Sequence, residues 1–221
     1  MPVVRSHRTV RTLRGVSGRG CPSGDTVAVI DAGSNSIHLL VARIGTAGGL
    51  EPLLDESAQT GLGTIVDASG SLGPAAIAEL VAALGRFIVR AREAGAMRVV
   101  LLGTEPFRRA ADRDAALMAI RAATGIRLRV LSSEAEGRLA LAGATAGQPV
   151  EAPTLLADIG GGSTEVVLEV PGGRTAVRCV RTGSARLARA VGYGDPPGEA
   201  ALAAVDAAAR GAIGGRRMAG M

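Results

Sequence analysis

Apolar and polar positions alternate or cluster along this chain in a way that predicts a mixed α/β fold. Val27–Ile30 is a short apolar run, and Ile37–Ile44 a second. Leu50–Ser57 supplies a third strand, which closes an antiparallel meander. After Gly61-Leu62-Gly63, read as a loop, Gly73-Pro74 opens a helix that the pattern carries to about Ala94. There Ile77, Leu80, Val81, Leu84, Ile88 and Ala91 recur at steps of three and four, predicting one buried stripe. Val99–Gly103 is apolar throughout and reads as a central, parallel strand. Thr104–Ala110 leads into a helix through Asp114–Thr124 with a break near Asp112. Arg127–Leu131 follows as a strand, and a helix capped by Ser133 reaches about Ala144.

After a linker at Ala146–Pro153 the strands resume at Thr154–Asp158, Thr164–Val170 and Thr175–Arg181, with helices at Ser184–Val191 and near Glu199–Arg210. The order β-β-β-α-β-α-β-α, and then β-β-β-α again, describes a ribonuclease-H-like domain (25–146) and the start of a second, incomplete copy (152–221).

Composition sharpens this picture in two ways. Only 1% of the chain is aromatic while 47% is hydrophobic, so the core must be built from Ala, Val, Leu and Ile. The formal charge of +5 lies in the first residues, where Arg5, Arg8, Arg11, Arg14 and Arg19 stand without an acid; the remainder balances. Residues 1–24 are therefore read as a disordered basic tail, and the high pI as a property of that tail and not as a nucleic-acid signature. No apolar run approaches the ~20 residues of a membrane span. Cys21 and Cys179 form no CxxC pair and read as reduced thiols of a cytoplasmic protein.

The chemistry gathers at two related stretches, Asp31-Ala32-Gly33-Ser34-Asn35-Ser36 and Asp158-Ile159-Gly160-Gly161-Gly162-Ser163. Each is an apolar strand ending in an aspartate, a turn of small residues, and a second strand. Such turns bring backbone N–H groups up to an anion, while a strand-end carboxylate can hold Mg²⁺. Taken singly, either aspartate could simply cap its own turn. The repetition predicts two half-domains that handle phosphate.

These two stretches resemble the phosphate loops of the exopolyphosphatase/guanosine pentaphosphate phosphohydrolase (Ppx/GppA) family, within the sugar kinase, heat-shock protein and actin superfamily. Gly61-Leu62-Gly63, Gly103–Ala110 and Ser133–Leu139 agree with three further segments of that family in order and spacing. The resemblance spans roughly residues 26–190 and implies a hydrolase that releases terminal phosphate from polyphosphate or guanosine pentaphosphate with Mg²⁺. It implies Glu136 as the base that activates water, with Glu165 assisting. Asp31, Gly33, Ser34, Asn35, Arg108, Gly160, Gly161, Gly162 and Ser163 would bind phosphate, and Asp158 the metal.

The residues themselves leave alternatives open. Ser133–Glu136 also fits a capping box with Glu136 bonded back to the backbone. Glu165 could be an exposed strand residue, Arg108 a surface arginine, and His38 a structural donor. Gly183-Ser184-Ala185-Arg186-Leu187 matches a family turn expected to support the second loop. A kinase-like ATP-binding protein and a non-catalytic phosphate-binding remnant are the other classes considered. Family members usually continue well beyond this chain's last residue, and Gly214–Met221 matches no part of the family. The unfinished second sheet would expose apolar edges, making a homodimer possible.

Overall fold

A computed structural model describes residues 24–45, 49–172, 174–192 and 196–214. Residues 1–23, on which the basic-tail and Cys21 expectations fall, and 215–221, on which the reading of Gly214–Met221 falls, lie outside these. The chain forms two compact units. One comprises the residues through Leu131 with Ala142–Gln148, the other Ser132–Leu141 with Pro149 onward.

The first unit holds a five-stranded sheet built from β1 (Thr26–Ala32), β2 (Ser36–Ile44), β3 (Leu50–Gln59), β4 (Arg98–Gly103) and β5 (Leu128–Val130), in the order β3-β2-β1-β4-β5. β1–β2–β3 is an antiparallel meander, whereas β4 lies parallel to both β1 and β5, as a fully apolar strand should. Alternation sets the faces. Ala28, Ile30 and Ala32 of β1 and Ile37, Leu39 and Val41 of β2 are completely buried. Helices α1 (Leu62–Ser69), α2 (Gly73–Glu93), α3 (Glu105–Arg109) and α4 (Arg113–Thr124) contribute to the same core. The arrangement is that of a ribonuclease-H-like domain.

Two local expectations are corrected, and a third is explained. Gly61-Leu62-Gly63 is not a loop throughout: only Gly61 stays outside α1, and its φ of 63° is a left-handed conformation that glycine adopts without penalty. The buried face of α2 consists of Ala76, Leu80, Ala83, Leu84, Phe87 and Ala91. Ile77, Val81 and Ile88 sit partly buried at its rim, since the small alanines let the helix approach closely. The helix break near Asp112 is real, and its cause is tertiary. The Asp112 carboxylate accepts the N–H groups of Leu72 and Gly73, both at 2.8 Å, and so caps α2 instead of its own helix.

The second unit holds a three-stranded antiparallel sheet, β6 (Thr154–Ile159), β7 (Thr164–Val170) and β8 (Arg174–Val180), in the order β6-β7-β8. The first part of α5 (Ser133–Ala144) packs on it. Gly137 lies so close that a Cβ there would stand 2.7 Å from Val177 Cγ1 and 3.0 Å from Val167 Cγ2. Helices α6 (Ser184–Val191) and α7 (Glu199–Ile213) follow; α7 runs three residues beyond the expected Arg210. Among the described residues no helix is long and apolar enough to cross a membrane.

Candidate phosphate-binding and hydrolytic site

The two glycine-serine stretches fold alike, position by position. Asp31 and Asp158 are each the penultimate residue of their strand. Gly33 donates its N–H to the Ser36 carbonyl at 3.0 Å, and Gly160 does the same to Ser163, also at 3.0 Å. Across the hairpin, Asp31 pairs with His38 and Asp158 with Glu165. The repetition seen in the sequence is thus a repetition of backbone geometry.

In both turns several further carbonyls are drawn into the protein. The Ser34 carbonyl accepts Gly63 N–H at 2.7 Å, and the Asn35 carbonyl accepts Thr60 and Gly61 N–H at 2.9 and 3.0 Å. In the second loop, Gly160 O accepts Ser184 N–H at 2.9 Å and Gly161 O accepts Arg186 N–H at 3.1 Å. Gly162 O accepts the Arg186 guanidinium at 2.6 Å. Among the described residues, the N–H groups of Ser34, Asn35, Gly161 and Gly162 have no backbone acceptor. Carbonyls turned inward and consecutive N–H groups left over are the arrangement that an anion-binding turn requires.

Close packing enforces each turn. A Cβ on Gly63 would stand 2.8 Å from the Ser34 Cβ. One on Gly183 would stand 2.5 Å from Gly160 O and 2.7 Å from Gly161 O, so the Gly183–Arg186 segment does support the second loop.

Glu165 is 1% exposed, which rules out the reading of an exposed strand residue. Its Oε1 accepts the Cys179 thiol at 3.1 Å, and its Oε2 the Ser163 hydroxyl at 3.5 Å, the outer limit for such a bond. It shares a sheet face with Asp158, its cross-strand partner, so two carboxylates stand side by side at the end of β6–β7. Helix α5 closes over this face through Gly137, next in sequence to Glu136. The hypothetical Gly137 Cβ would lie 3.5 Å from Glu165 Cβ.

The capping-box reading of Glu136 does not hold. The cap is Ser132, whose hydroxyl accepts Ala135 N–H at 3.1 Å, which places Glu136 one position beyond the box. Its own N–H makes the ordinary helical bond to Ser132 O at 2.9 Å.

In the first unit Arg108 is half-buried, and one arm of its guanidinium donates to Leu131 O at 2.9 Å. Ser34 gives its hydroxyl proton to Glu105 Oε2 at 2.9 Å. His38 is exposed and lies 2.8 Å from the Ser36 hydroxyl.

Sequence reading missed Glu105, Arg109, Asp67 and Cys179. Arg109 donates to Glu105 at 2.8 Å and to Asp67 at 2.5 Å. Burial alone would lower its pKa, but these two carboxylates hold it above the ordinary value. Glu105 is detectable as a carboxylate directly after an apolar strand; Cys179 shares the parity of Val177 along β8. Nothing local marks Asp67.

The mixed five-stranded sheet and the two matched Asp-to-Ser hairpins define a class of protein that comparison with known families identifies. Residues 40–215 match the Ppx/GppA phosphatase family. The chain is 31% identical over 183 residues to Exopolyphosphatase 1 of Mycobacterium leprae (strain TN), covering 80% of this chain and 52% of that protein. It is 34% identical over 184 residues to Exopolyphosphatase 2 of Mycobacterium tuberculosis (strain ATCC 25618 / H37Rv), covering 77% and 56%. Among solved structures, the Aquifex aeolicus member of the Ppx/GppA family superposes with a TM-score of 0.66 at 31% identity, covering 81% of this chain and 58% of that one. The chain belongs to the Ppx/GppA phosphatase family. It spans a little over half the length of these relatives.

Proposed function

We propose that this chain hydrolyses a terminal phosphoanhydride, with inorganic polyphosphate as substrate. The observation that carries the reading is the matched pair of turns, with carbonyls held inward and successive N–H groups left for phosphate oxygens. In the second unit, Glu136 orients a water for in-line attack on the terminal phosphorus and accepts its proton. The N–H groups of Gly161 and Gly162 take up charge on the phosphoryl oxygens. Glu165, held by Cys179, lines the same sheet face and assists the water or the metal. In the first unit, the Asp31–Asn35 turn and Arg108 are phosphate ligands of the same kind. No covalent intermediate is needed, since positioning and charge stabilisation suffice for this chemistry.

Magnesium is the metal that suits a strand-end carboxylate beside substrate phosphates. Mg²⁺ is commonly held by one or two carboxylates together with substrate phosphates, and Asp158 with its cross-strand neighbour Glu165 provides such a set. Asp158 would hold the ion, which would neutralise charge on the phosphate chain.

The test is phosphate release by the purified chain from polyphosphate and from guanosine pentaphosphate, each with and without Mg²⁺. Magnesium-dependent release from polyphosphate is expected. Faster release from guanosine pentaphosphate would reassign the substrate, and ATP binding without release from either would refute the proposal.

A further inference from the structure

The Asp31–Ser36 turn is held by a closed circuit of contacts whose members other than Ser34 the hydrolytic scheme does not use. Ser34 is gripped at two atoms. Its carbonyl accepts Gly63 N–H at 2.7 Å, at the start of α1, and its hydroxyl donates to Glu105 Oε2 at 2.9 Å. Glu105 is 4% exposed, and its other oxygen accepts Arg109 Nη1 at 2.8 Å. The same nitrogen donates to Asp67 at 2.5 Å, and Asp67 lies on α1, one turn beyond Gly63. The path therefore runs from Ser34 through Glu105, Arg109, Asp67 and α1 back to Ser34.

Charge alone makes Glu105 an odd neighbour for an anion. A carboxylate beside the turn opposes an anion electrostatically, and the Arg109 guanidinium, which Glu105 shares with Asp67, only offsets that. Any favourable contribution of Glu105 must then be geometric. With both the carbonyl and the hydroxyl of Ser34 fixed, the peptide planes around it have one orientation, and the Ser34 and Asn35 N–H groups point where they do before a ligand arrives. We propose that Glu105 is the positioning residue of the first phosphate turn, acting through Ser34; this rests on the reading of that turn as a phosphate site.

The experiment measures binding of tripolyphosphate to the full chain by calorimetry, together with amide hydrogen exchange at Ser34 and Asn35 without ligand. Glu105→Ala should weaken binding roughly tenfold and speed exchange at both amides. Ser34→Ala should do the same, and the double variant should be no worse than either single one, because both remove one coupling. Glu105→Gln, whose amide oxygen can still accept from Ser34, should bind within about threefold of the parent. A merely structural carboxylate would lower thermal stability in all variants alike, with neither affinity nor exchange at the turn following the Ser34 bond.

A folded Glu105→Ala that binds as tightly as the parent, or tighter, overturns the proposal. So do additive losses in the double variant. If Glu105→Ala does not fold, Ser34→Ala and Glu105→Gln decide on the same criteria. A parent chain that binds no tripolyphosphate refutes the phosphate reading of the turn, and this proposal with it.

Discussion

Replacing Gly183 by alanine isolates the support of the second loop. Gly183 has φ −161° and ψ 171°, extended backbone that any residue adopts, so the substitution adds no dihedral strain. The added methyl is what matters. It would stand 2.5 Å from Gly160 O and 2.7 Å from Gly161 C and O, short of an ordinary carbon–oxygen contact of about 3.3 Å. Those neighbours are backbone, which cannot rotate away as a side-chain tip would. Overpacking of this kind costs about 1–3 kcal/mol. Alanine is also a poorer helix N-cap than glycine, adding a few tenths of a kcal/mol to about 1 kcal/mol. A combined cost of about 1–4 kcal/mol corresponds to a melting temperature lower by roughly 2–16 °C for a chain of this size. Relief comes most directly from moving Gly160 and Gly161 outward by several tenths of an ångström. Displacing reacting groups by about 1 Å can cost ~10²-fold in rate, so phosphate release should fall at least tenfold. Scanning calorimetry and a colorimetric phosphate assay on the same preparations read both effects. An unchanged melting temperature with unchanged turnover would show that Gly183 does not brace the loop.

Gly85 is the opposite case. It lies inside α2, and a Cβ added there would meet nothing within 4 Å. Gly85→Ala should therefore raise stability by about 0.5–1 kcal/mol without altering turnover, as thermal unfolding would show. Asp112→Ala removes the cap of α2 and should cost about 1–2 kcal/mol at neutral pH. Burial alone would raise the Asp112 pKa, but the Leu72 and Gly73 N–H groups bring it below the ordinary carboxylate value. A carboxylate whose folded pKa is lowered stabilises fully above its unfolded pKa, about 3.9, and loses that contribution as pH falls through the folded value. The difference in melting temperature between parent and Asp112→Ala should therefore be constant near neutrality and shrink below about pH 4. A difference that grows on acidification would contradict the assignment.

Much of the fold is legible in the sequence because its signals are local. The apolar run of β4 announces a parallel central strand, and the Asp-to-Ser stretches announce their own turns. What escapes depends on contacts between distant segments. Gly61-Leu62-Gly63 looks like a loop by composition; the Gly63 bond to Ser34 and the bare approach of the two backbones explain why a helix begins there. Asp112 reads as a helix break, and only the fold shows that its carboxylate serves α2. The α2 stripe keeps Leu80, Leu84 and Ala91 but is turned toward Ile77, Val81 and Ile88, in part because Ala76 and Ala83 carry little hydrophobic signal. At the site, the family resemblance points to Arg108, whereas the electrostatic circuit runs through Arg109. Glu165 and Glu136 each have a bland alternative; burial removes that of Glu165, and the Ser132 cap shifts the box off Glu136.

The proposed mechanism rests on a water oriented by Glu136 attacking phosphate held in the second turn. Glu136→Gln is nearly isosteric but cannot accept a proton, so it separates the chemical step from binding. Parent and variant are compared for tripolyphosphate binding and for phosphate release from polyphosphate in the presence of Mg²⁺. The expected result is release by the parent, binding by both proteins with similar affinity, and loss of release by at least ~10²-fold in the variant. Undiminished release by Glu136→Gln would contradict that mechanism.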